Sequence, residues 1–443
     1  MLKTFRIGGI HPKENKLSAG KSIQQIEIPS QVIIPLAQHI GAPAQPIVKK
    51  GDKVKVGTQI GKSVGFVSAN IHSSVSGTVN KIDKVLDTTG YKRDAVFIDV
   101  EGDEWEPEII RSEELISEIK DSQSEILEKI SKCGLVGMGG ATFPTHVKLV
   151  PPPGNKAEIL IINAVECEPY LTSDHELMLE KSQEIFVGIQ ILMKAINVNK
   201  AVIGIENNKK DAIQKFTDIA KSYSDIEVMP LKVQYPQGGE KQLIDAVMNR
   251  QIASGALPIS VGAVVQNVGT AFAVYEAVQK NKPLIERVVT VTGKDVKMPC
   301  NILSRIGISM QNLIDFAGGV PESTGKVISG GPMMGKSVAS TEIPVTKGTS
   351  GILLMPSLEA KRKAMKNCIR CGKCLSVCPM GLNPTLLMNL TEYNVLDRAE
   401  KNSITDCIEC GSCSYTCPAD RPLLDYIRLG KGKVMTIIRN RKN

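Results

Sequence analysis

Two consecutive cysteine runs near the C-terminus constrain the fold of this chain more than any other feature. Each has the pattern C-x-x-C-x-x-C-x-x-x-C-P, and the runs begin at positions 368 and 407. Three thiolates at this spacing bind three corners of one [4Fe–4S] cluster, and the fourth cysteine ligates the other cluster. Two zinc sites are the alternative, although zinc sites usually use two separated C-x-x-C pairs. The predicted cluster ligands are Cys368, Cys371, Cys374 and Cys417 for one cluster, and Cys407, Cys410, Cys413 and Cys378 for the other.

The remaining cysteines and the hydropathy pattern indicate a cytoplasmic chain without a membrane span. Cys133, Cys167 and Cys300 are irregularly spaced, and cluster thiolates must stay reduced, so we expect a reducing compartment. The nearest candidate for a transmembrane helix, 257–274, is interrupted by polar residues, whereas a span needs about 18 uninterrupted apolar residues. We therefore expect membrane contact mainly through partners.

The net charge of +8 is concentrated in two places. One basic stretch, 361–373, leads into the first cysteine run, and another forms the tail after 430. A solvated face, a docking surface for an acidic partner and contact with anionic lipid headgroups all remain open. Aromatic residues make up 4% of the chain, which leaves little material for a base-stacking platform, so we expect no nucleic-acid partner.

Apolar periodicity divides the chain into four predicted domains and indicates a multidomain α/β protein. The first is rich in short strands and glycine turns, the second alternates strands with helices around a mostly parallel sheet, the third returns to strands, and the fourth is helical. The expected boundaries are 1–110, 111–286, 287–355 and 356–443. Strands are expected at 158–165 and 200–206, and helices at 112–132, 176–196, 208–222, 301–319 and 385–399.

A glycine-rich segment, GLVGMGGATFPTHVK (134–148), opens the α/β pattern. Gly137, Gly139 and Gly140 allow backbone N–H groups to approach a phosphate closely, although a tight structural turn would give the same local pattern. Three further segments strengthen the ligand-binding interpretation. They are INAVECEPYLTSDHE (162–176), YPQGGEKQLIDAV (235–247) and VVQNVGTAFAVYEAV (264–278).

In this order the four segments resemble the FMN- and NADH-binding subunit of respiratory complex I. That family's patterns G-x-G-G-A-G-F-P-T-x-x-K and N-A-D-E-x-E-P correspond here to GMGGATFPTHVK and NAVECEP, with Val165 in place of an acid. The N-terminal sequences FRIGGIHPKENK and IHSSVSGTV resemble the C subunit of the Rnf family, membrane-bound ferredoxin:NAD oxidoreductases that pump Na⁺ or H⁺. With the cysteine runs included, the resemblance covers nearly the whole chain.

The resemblance implies FMN, two [4Fe–4S] clusters and NAD(H). It implies an N-terminal β barrel-sandwich-like domain without a carrier lysine, a Rossmann-like α/β FMN domain, a β-grasp-like domain and an all-α twin-cluster domain. It also implies a peripheral subunit on the cytoplasmic face of the cell membrane, with membrane subunits and an iron–sulfur ferredoxin-like subunit as partners. The implied flavin contacts are Gly137, Gly139, Gly140, Lys148, Asn163, Glu166, Asn267 and Thr270, and the implied nucleotide contacts are Phe143, Glu168 and Glu240.

Two other functions share parts of this pattern. A corrinoid reductase of the propanediol-utilisation type has similar flavin and cluster segments, but its usual N-terminus begins near the glycine-rich segment. A non-enzymatic electron-transfer adaptor would use the clusters alone. The segment of about 110 residues before the glycine-rich segment favours the Rnf family.

Overall fold

The computed structural model describes residues 2–442. The N-terminal region contains eight strands, and seven of them form two small antiparallel sheets. Its strands are β1 (Gln24–Gln25), β2 (Gln31–Pro35), β3 (Gln45–Pro46), β4 (Lys53–Val54), β5 (Gln59–Lys62), β6 (Ile71–His72), β7 (Gly77–Leu86) and β8 (Lys92–Val100). One sheet has the order β2-β8-β7-β4 and the other β3-β5-β6. Alternating side chains point inward, so Val32 and Ile34 of β2 share a core with Val96 and Ile98 of β8.

The next region is built on a parallel sheet. Its elements are α1 (Gln123–Lys132), α2 (Thr145–Lys148), β9 (Ile159–Asn163), α3 (Ser173–Glu180), α4 (Ser182–Ile196), β10 (Ala201–Glu206), α5 (Lys210–Ala220), β11 (Ile226–Leu231), α6 (Glu240–Met248), β12 (Ala263–Asn267) and α7 (Val268–Lys280). The four strands run parallel in the order β11-β10-β9-β12. Leu160 and Ile162 belong to one apolar core and Ile159 and Ile161 to another, as expected for a sheet covered on both faces.

A six-stranded mixed sheet follows. Its elements are β13 (Glu286–Thr292), β14 (Cys300–Arg305), α8 (Met310–Phe316), β15 (Thr324–Ser329), β16 (Lys336–Ser337) and β17 (Gly351–Pro356). The order is β1-β14-β13-β17-β15-β16, so β1 from the N-terminal region forms one edge. The register pairs Gln24 with Ile302, which ties the beginning of the chain to this third region.

The C-terminal region is helical. Its helices are α9 (Ser357–Ala360), α10 (Lys373–Ser376), α11 (Pro384–Glu392), α12 (Leu396–Lys401), α13 (Ser412–Tyr415) and α14 (Leu423–Lys442). Leu387, Leu390, Ile427 and Val434 form a small core in which α11 packs against α14. No helix within residues 2–442 is both long and apolar enough to cross a membrane.

Four helix predictions need correction. The helix expected at 112–132 begins only after Ser122, because Ser122 and Glu125 form a capping box that starts α1 there. The helix expected at 301–319 begins as strand β14, and only α8 is helical. The remaining two are each divided into a pair of shorter helices. The interruptions lie at Lys181 and at Asn394, which has a φ of 55°.

Candidate functional site

Two asparagines mark the edge of the parallel sheet where the predicted flavin residues meet. Asn163 ends β9, Asn267 ends β12, and the two residues are paired in the strand register. In this sheet β10 and β11 follow one another on one side of β9, and β12 lies on the other side of β9. The direction in which strands are added therefore reverses between β9 and β12. Open α/β sheets bind ligands beyond the carboxyl ends of the strands at such a reversal.

The glycine-rich loop lies over this edge. Gly137 donates its N–H to the Phe143 carbonyl oxygen at 2.9 Å, which closes the loop, and the Met138 N–H donates to Thr270 Oγ1 at 3.0 Å. A Cβ on Gly139 would come within 2.8 Å of Asn267 Nδ2, so this contact needs glycine. A Cβ on Gly140 would meet no atom within 4 Å. The loop therefore presents open backbone beside both asparagines.

Asn267 is held in place by three hydrogen bonds. Its Oδ1 accepts from the N–H groups of Gly269 at 2.8 Å and Thr270 at 3.4 Å, which caps α7, and its Nδ2 donates to Asp174 Oδ2 at 2.7 Å. Burial, and next the nearby charge of Glu166, raise the pKa of Asp174 to about 6. The fixed amide and the helix N-terminus together favour a negatively charged ligand group above the loop.

Lys148, Glu240 and Asn163 complete the same edge. Lys148 Nζ lies 2.6 Å from Glu240 Oε1, and Glu240 is the first residue of α6. Asn163 Nδ2 donates to the Gly238 carbonyl oxygen at 2.8 Å, in the loop that precedes this helix. The structure therefore brings together the glycine loop, Lys148, Asn163, Glu240, Asn267 and Thr270.

Glu166 and Glu168 accept hydrogen bonds from the backbone of neighbouring segments, and Glu166 is linked to Asn267 of this group through Asp174. Glu166 accepts the N–H groups of Asp174 at 2.8 Å and His175 at 3.2 Å, and so caps α3. Glu168 accepts the N–H groups of Met333 at 3.2 Å and Met334 at 2.7 Å, at the boundary with the third region. Burial raises the pKa of Glu168 to about 7, against the opposing effect of those two N–H groups.

The residues at the sheet edge fit a phosphate-bearing flavin. Residues 139–141 are exposed and offer backbone N–H groups, and Lys148, paired with Glu240, supplies a cation in the same segment. Five buried polar atoms in the four site segments also have no protein partner among the described residues. They are Thr145 Oγ1, His146 Nδ1, Gln237 Nε2, Gln242 Oε1 and Gln266 Nε2. A polar ligand would satisfy atoms of this kind.

Cysteines from both runs lie close together in the C-terminal region. Cys378 of the first run and Cys407, Cys410 and Cys413 of the second line one apolar cavity. Cys374 and Cys417 both pack against a small apolar cluster of Met388, Cys413 and Leu423. Within residues 2–442, no three His, Cys, Asp or Glu side chains form a group that could hold a single metal ion. Four soft thiolates around a cavity fit an iron–sulfur cluster.

The cysteines that line this cavity, from the second run and from the end of the first, pack against the α/β region of the predicted flavin site, which is called the flavin-like region below. The Tyr235 hydroxyl donates to the Cys410 carbonyl oxygen at 2.8 Å, and Gln242 Nε2 donates to the Pro379 carbonyl oxygen at 3.2 Å. Cys368 and Cys371 of the first run are exposed. The two predicted clusters therefore have different positions, one near the flavin-like edge and one at the surface.

Three residues that matter here carry no signal in the sequence: Tyr235, Gln242 and Lys16. The first two lie in the segment YPQGGEKQLIDAV (235–247), whose family resemblance implies only a flavin-binding role. Lys16 is buried, and its Nζ donates to the carbonyl oxygens of Glu166 at 2.9 Å, Glu168 at 3.0 Å and Leu171 at 2.6 Å. Lys16 and Glu166 are 150 residues apart in the sequence, so no local pattern predicts this contact.

Comparison with family models divides the chain in the same way. The RnfC barrel sandwich hybrid domain matches residues 3–103, the Nuo51 FMN-binding domain 130–276, the SLBB domain 288–337 and the 4Fe-4S dicluster domain 360–420. The predicted fold class and the predicted FMN and [4Fe–4S] cofactors are thereby confirmed.

One solved structure that resembles the chain is an NAD⁺-reducing [NiFe]-hydrogenase in its H₂-reduced state. Its TM-score is 0.50 at 19% identity, and the match covers 71% of this chain and 63% of the hydrogenase chain. At that identity the likeness concerns the fold alone.

Curated relatives match over almost the full length. The C subunit of the proton-translocating ferredoxin:NAD(+) oxidoreductase complex of Clostridium ljungdahlii is 48% identical, and the match covers 98% of this chain and 94% of the relative. The C subunit of the Na(+)-translocating complex of Acetobacterium woodii is 45% identical, with 98% and 97% covered. The C subunit of the ion-translocating oxidoreductase complex of Rhodobacter capsulatus is 40% identical, with 98% and 84% covered. The chain therefore belongs to the RnfC family, the C subunits of ion-translocating ferredoxin:NAD⁺ oxidoreductase (Rnf) complexes.

Proposed function

We propose that this chain is the subunit that exchanges electrons between NAD(H) and the one-electron carriers of an ion-translocating ferredoxin:NAD⁺ oxidoreductase complex. The hydrogen bond from Tyr235 to the Cys410 carbonyl oxygen carries this proposal, because it joins the second cysteine run directly to the flavin-like region. When bound, FMN supplies two-electron exchange with NAD(H) and one-electron exchange with [4Fe–4S] clusters. The protein supplies the positions of these groups.

The sheet edge is proposed to hold the flavin. Backbone N–H groups of the glycine loop and the Lys148 ammonium would bind the phosphate end, while Asn163, Asn267 and Thr270 would contact the rest. Phe143 and Glu240 are proposed to face the nicotinamide nucleotide. Glu166 is proposed to lie near the flavin and Glu168 to face the nucleotide. Both carboxyl groups also accept backbone hydrogen bonds, which would fix their positions.

The cysteines are proposed to ligate two clusters in the crossed pattern. The cavity bounded by Cys378, Cys407, Cys410 and Cys413 supports this assignment for the cluster near the flavin. The packing of Cys374 and Cys417 against one small apolar cluster supports the corresponding set at the surface. Proline after the last cysteine of each run ends the short segment that carries the crossed ligand.

The partners and location are proposed from the family. The other subunits of the complex would include membrane subunits and an iron–sulfur ferredoxin-like subunit, with this chain peripheral on the cytoplasmic face and without nucleic acid. The barrel sandwich match over residues 3–103 favours this function over the corrinoid reductase, because that enzyme usually begins near the glycine-rich segment.

An anaerobic optical titration of the purified holoprotein tests the function. NADH should bleach a flavin band and then the broad cluster absorption. Replacing Cys371→Ser should leave flavin bleaching intact and block transfer to an external one-electron acceptor. Cys300→Ser is the matched control, because Cys300 is buried in β14 away from both runs. Flavin-free protein, or flavin that NADH does not bleach, would favour the non-enzymatic adaptor.

A further inference from the structure

We propose that the exposed face of the first cysteine run, residues 361–376, docks an acidic protein that carries a one-electron iron–sulfur centre. The proposal rests on the proposed function, since it names the surface where the surface-exposed cluster exchanges electrons with a partner. One electron passes between the partner's centre and the cluster held at this run, with no bond made or broken. The two cysteine runs are internal repeats, so their equivalent faces can be compared directly.

The second run supplies an example of how such a face is used. Ile408 and Cys410 share an apolar cluster with Tyr235 and Met333 from the preceding regions. A Cβ on Gly411 would lie 3.0 Å from the Met333 carbonyl oxygen, so the backbone itself is in close contact. This face of the repeat is therefore covered by the region with which it is proposed to exchange electrons.

The equivalent face of the first run has no such cover within residues 2–442. Ile369, at the position of Ile408, is 69% exposed, and Cys371, at the position of Cys410, is exposed. A Cβ on Gly372, at the position of Gly411, would meet nothing within 4 Å. The two faces share a sequence pattern and a backbone conformation, but only one is occupied.

Charge distinguishes the two faces in the way that a transient protein partner requires. Arg370 and Glu409 occupy equivalent positions with φ values of 57° and 59°, but their charges are opposite. Glu409 is neutralised within the chain by Arg428 at 3.1 Å and Lys431 at 3.0 Å. Arg370 has no ion pair among the described residues. The first run is instead surrounded by six basic residues with no acid between them: Lys361, Arg362, Lys363, Lys366, Arg370 and Lys373.

These charges favour an acidic protein over a lipid surface. Only Arg362 among the six has an ion pair in the described part of the chain, with Asp425 at 2.6 Å, so most of the positive charge is available to a partner. Charge complementarity around a redox centre accelerates encounter by about 10- to 1000-fold. The exposed thiols of Cys368 and Cys371 lie within the basic stretch, where an electron carrier has to approach. A membrane would receive no electron there.

A charge-reversal pair tests the docking face. Lys363→Glu/Lys366→Glu changes the charge beside the first run, and Lys84→Glu/Lys92→Glu makes the same change on exposed positions of β7 and β8 in the barrel sandwich. Plant-type [2Fe–2S] ferredoxin, an acidic one-electron protein, serves as the probe. Stopped-flow reduction of the holoprotein clusters by the reduced probe, and binding of the oxidised probe, are measured at two ionic strengths.

The first double variant should lose at least tenfold in both the reduction rate and the affinity at low salt, and its salt dependence should flatten, whereas the control pair should stay within twofold of the unchanged protein. Reduction by the small cation methyl viologen and bleaching of the flavin by NADH should be unchanged. Failure of NADH bleaching in the unchanged protein would remove the proposed function without bearing on docking. Equal losses in the two double variants, or no loss in either, would overturn the docking proposal. Binding to vesicles of anionic phospholipid is measured in parallel. A first double variant that loses only this vesicle binding, and keeps its affinity for the ferredoxin, would overturn the proposal as well.

Discussion

Tyr235 and Glu168 connect the flavin-like region to the cluster region at the level of single atoms. The Tyr235 hydroxyl donates to the Cys410 carbonyl oxygen and lies 3.4 Å from Glu168 Oε1. Glu168 also receives the N–H groups of Met333 and Met334, so one carboxyl group links three regions of the chain. Its burial has a measurable consequence, because an acid that is moved out of water holds its proton to a higher pH.

Glu168→Gln should therefore change how stability depends on pH. The pKa of Glu168 is raised from its ordinary value of 4.5 to about 7, so the folded chain binds a proton between these values that the unfolded chain releases. The unchanged protein loses stability as pH rises through this window, and the glutamine variant lacks this loss. Between pH 5 and pH 8, the variant should gain roughly 3 kcal/mol in unfolding free energy relative to the unchanged protein, at about 1.4 kcal/mol per pKa unit.

Urea unfolding followed by circular dichroism at several pH values measures this difference. Glu322→Gln, the same replacement at an exposed position, is the control. A Glu168→Gln difference that does not vary with pH would mean that the carboxyl group is ionised in the folded protein throughout the range.

At the scale of elements, local sequence signals predict the kind of structure better than its limits. The predicted strand at 158–165 and the predicted helix at 208–222 correspond to β9 and α5. The stretch at 301–319 has a helical pattern throughout, yet Asn301 pairs with Thr290 across the β13–β14 ladder. Apolar spacing alone does not distinguish a helix from a strand here, because pairing with the preceding strand β13 decides the outcome.

The N-cap of α7 allows a test that distinguishes the loss of helix stability from the loss of ligand binding. Asn267→Ala and Ser309→Ala both remove a side-chain cap, from α7 and α8 respectively. Each should cost about 1 kcal/mol of stability, the usual value for a lost cap. Only Asn267→Ala should also weaken FMN binding, by at least tenfold, because Asn267 contacts Gly139 and holds Asp174.

Quenching of flavin fluorescence during titration of the apoprotein gives the affinity, and thermal melting gives the stability. Both variants retain the glycine loop sequence, so a difference in affinity reports on the asparagine itself. Equal FMN affinities in the two variants would remove Asn267 from the proposed flavin contacts.

At the scale of the whole molecule, the cofactor classes are predictable from the sequence and the connections between domains are not. Cluster motifs concentrate their ligands within a few residues, so their spacing carries the chemistry. Which cluster faces the flavin depends on Tyr235 and Met333, which lie far from the cysteines in the sequence. Lys16 and Lys347 likewise stabilise loops distant in the chain, and a lone lysine in a sequence gives no indication that it is buried.

Lys347 joins three regions of the chain through one buried ammonium group. Its Nζ donates to the carbonyl oxygens of Asn70 at 2.7 Å, in the barrel sandwich, and Gly134 at 2.6 Å, at the start of the glycine segment. Burial lowers the pKa of Lys347 from 10.5 to about 7. The folded chain therefore releases a proton that the unfolded chain keeps between these values, and stability rises with pH across this window.

Lys347→Met should remove this rise of stability with pH and weaken the contact between the barrel sandwich and the glycine segment. Methionine fills the space but leaves two buried carbonyl groups without a donor, which destabilises the folded protein by about 1–3 kcal/mol for each group. Backbone amides at 69–75 and 134–145 should exchange faster with deuterium, and the unfolding free energy should stop increasing between pH 7 and pH 9. Lys336→Met, at an exposed position in β16, should leave both measurements unchanged. Faster exchange confined to 346–350 would mean that Lys347 stabilises its own loop alone, and that the barrel sandwich and the glycine segment are held together by the surrounding apolar core.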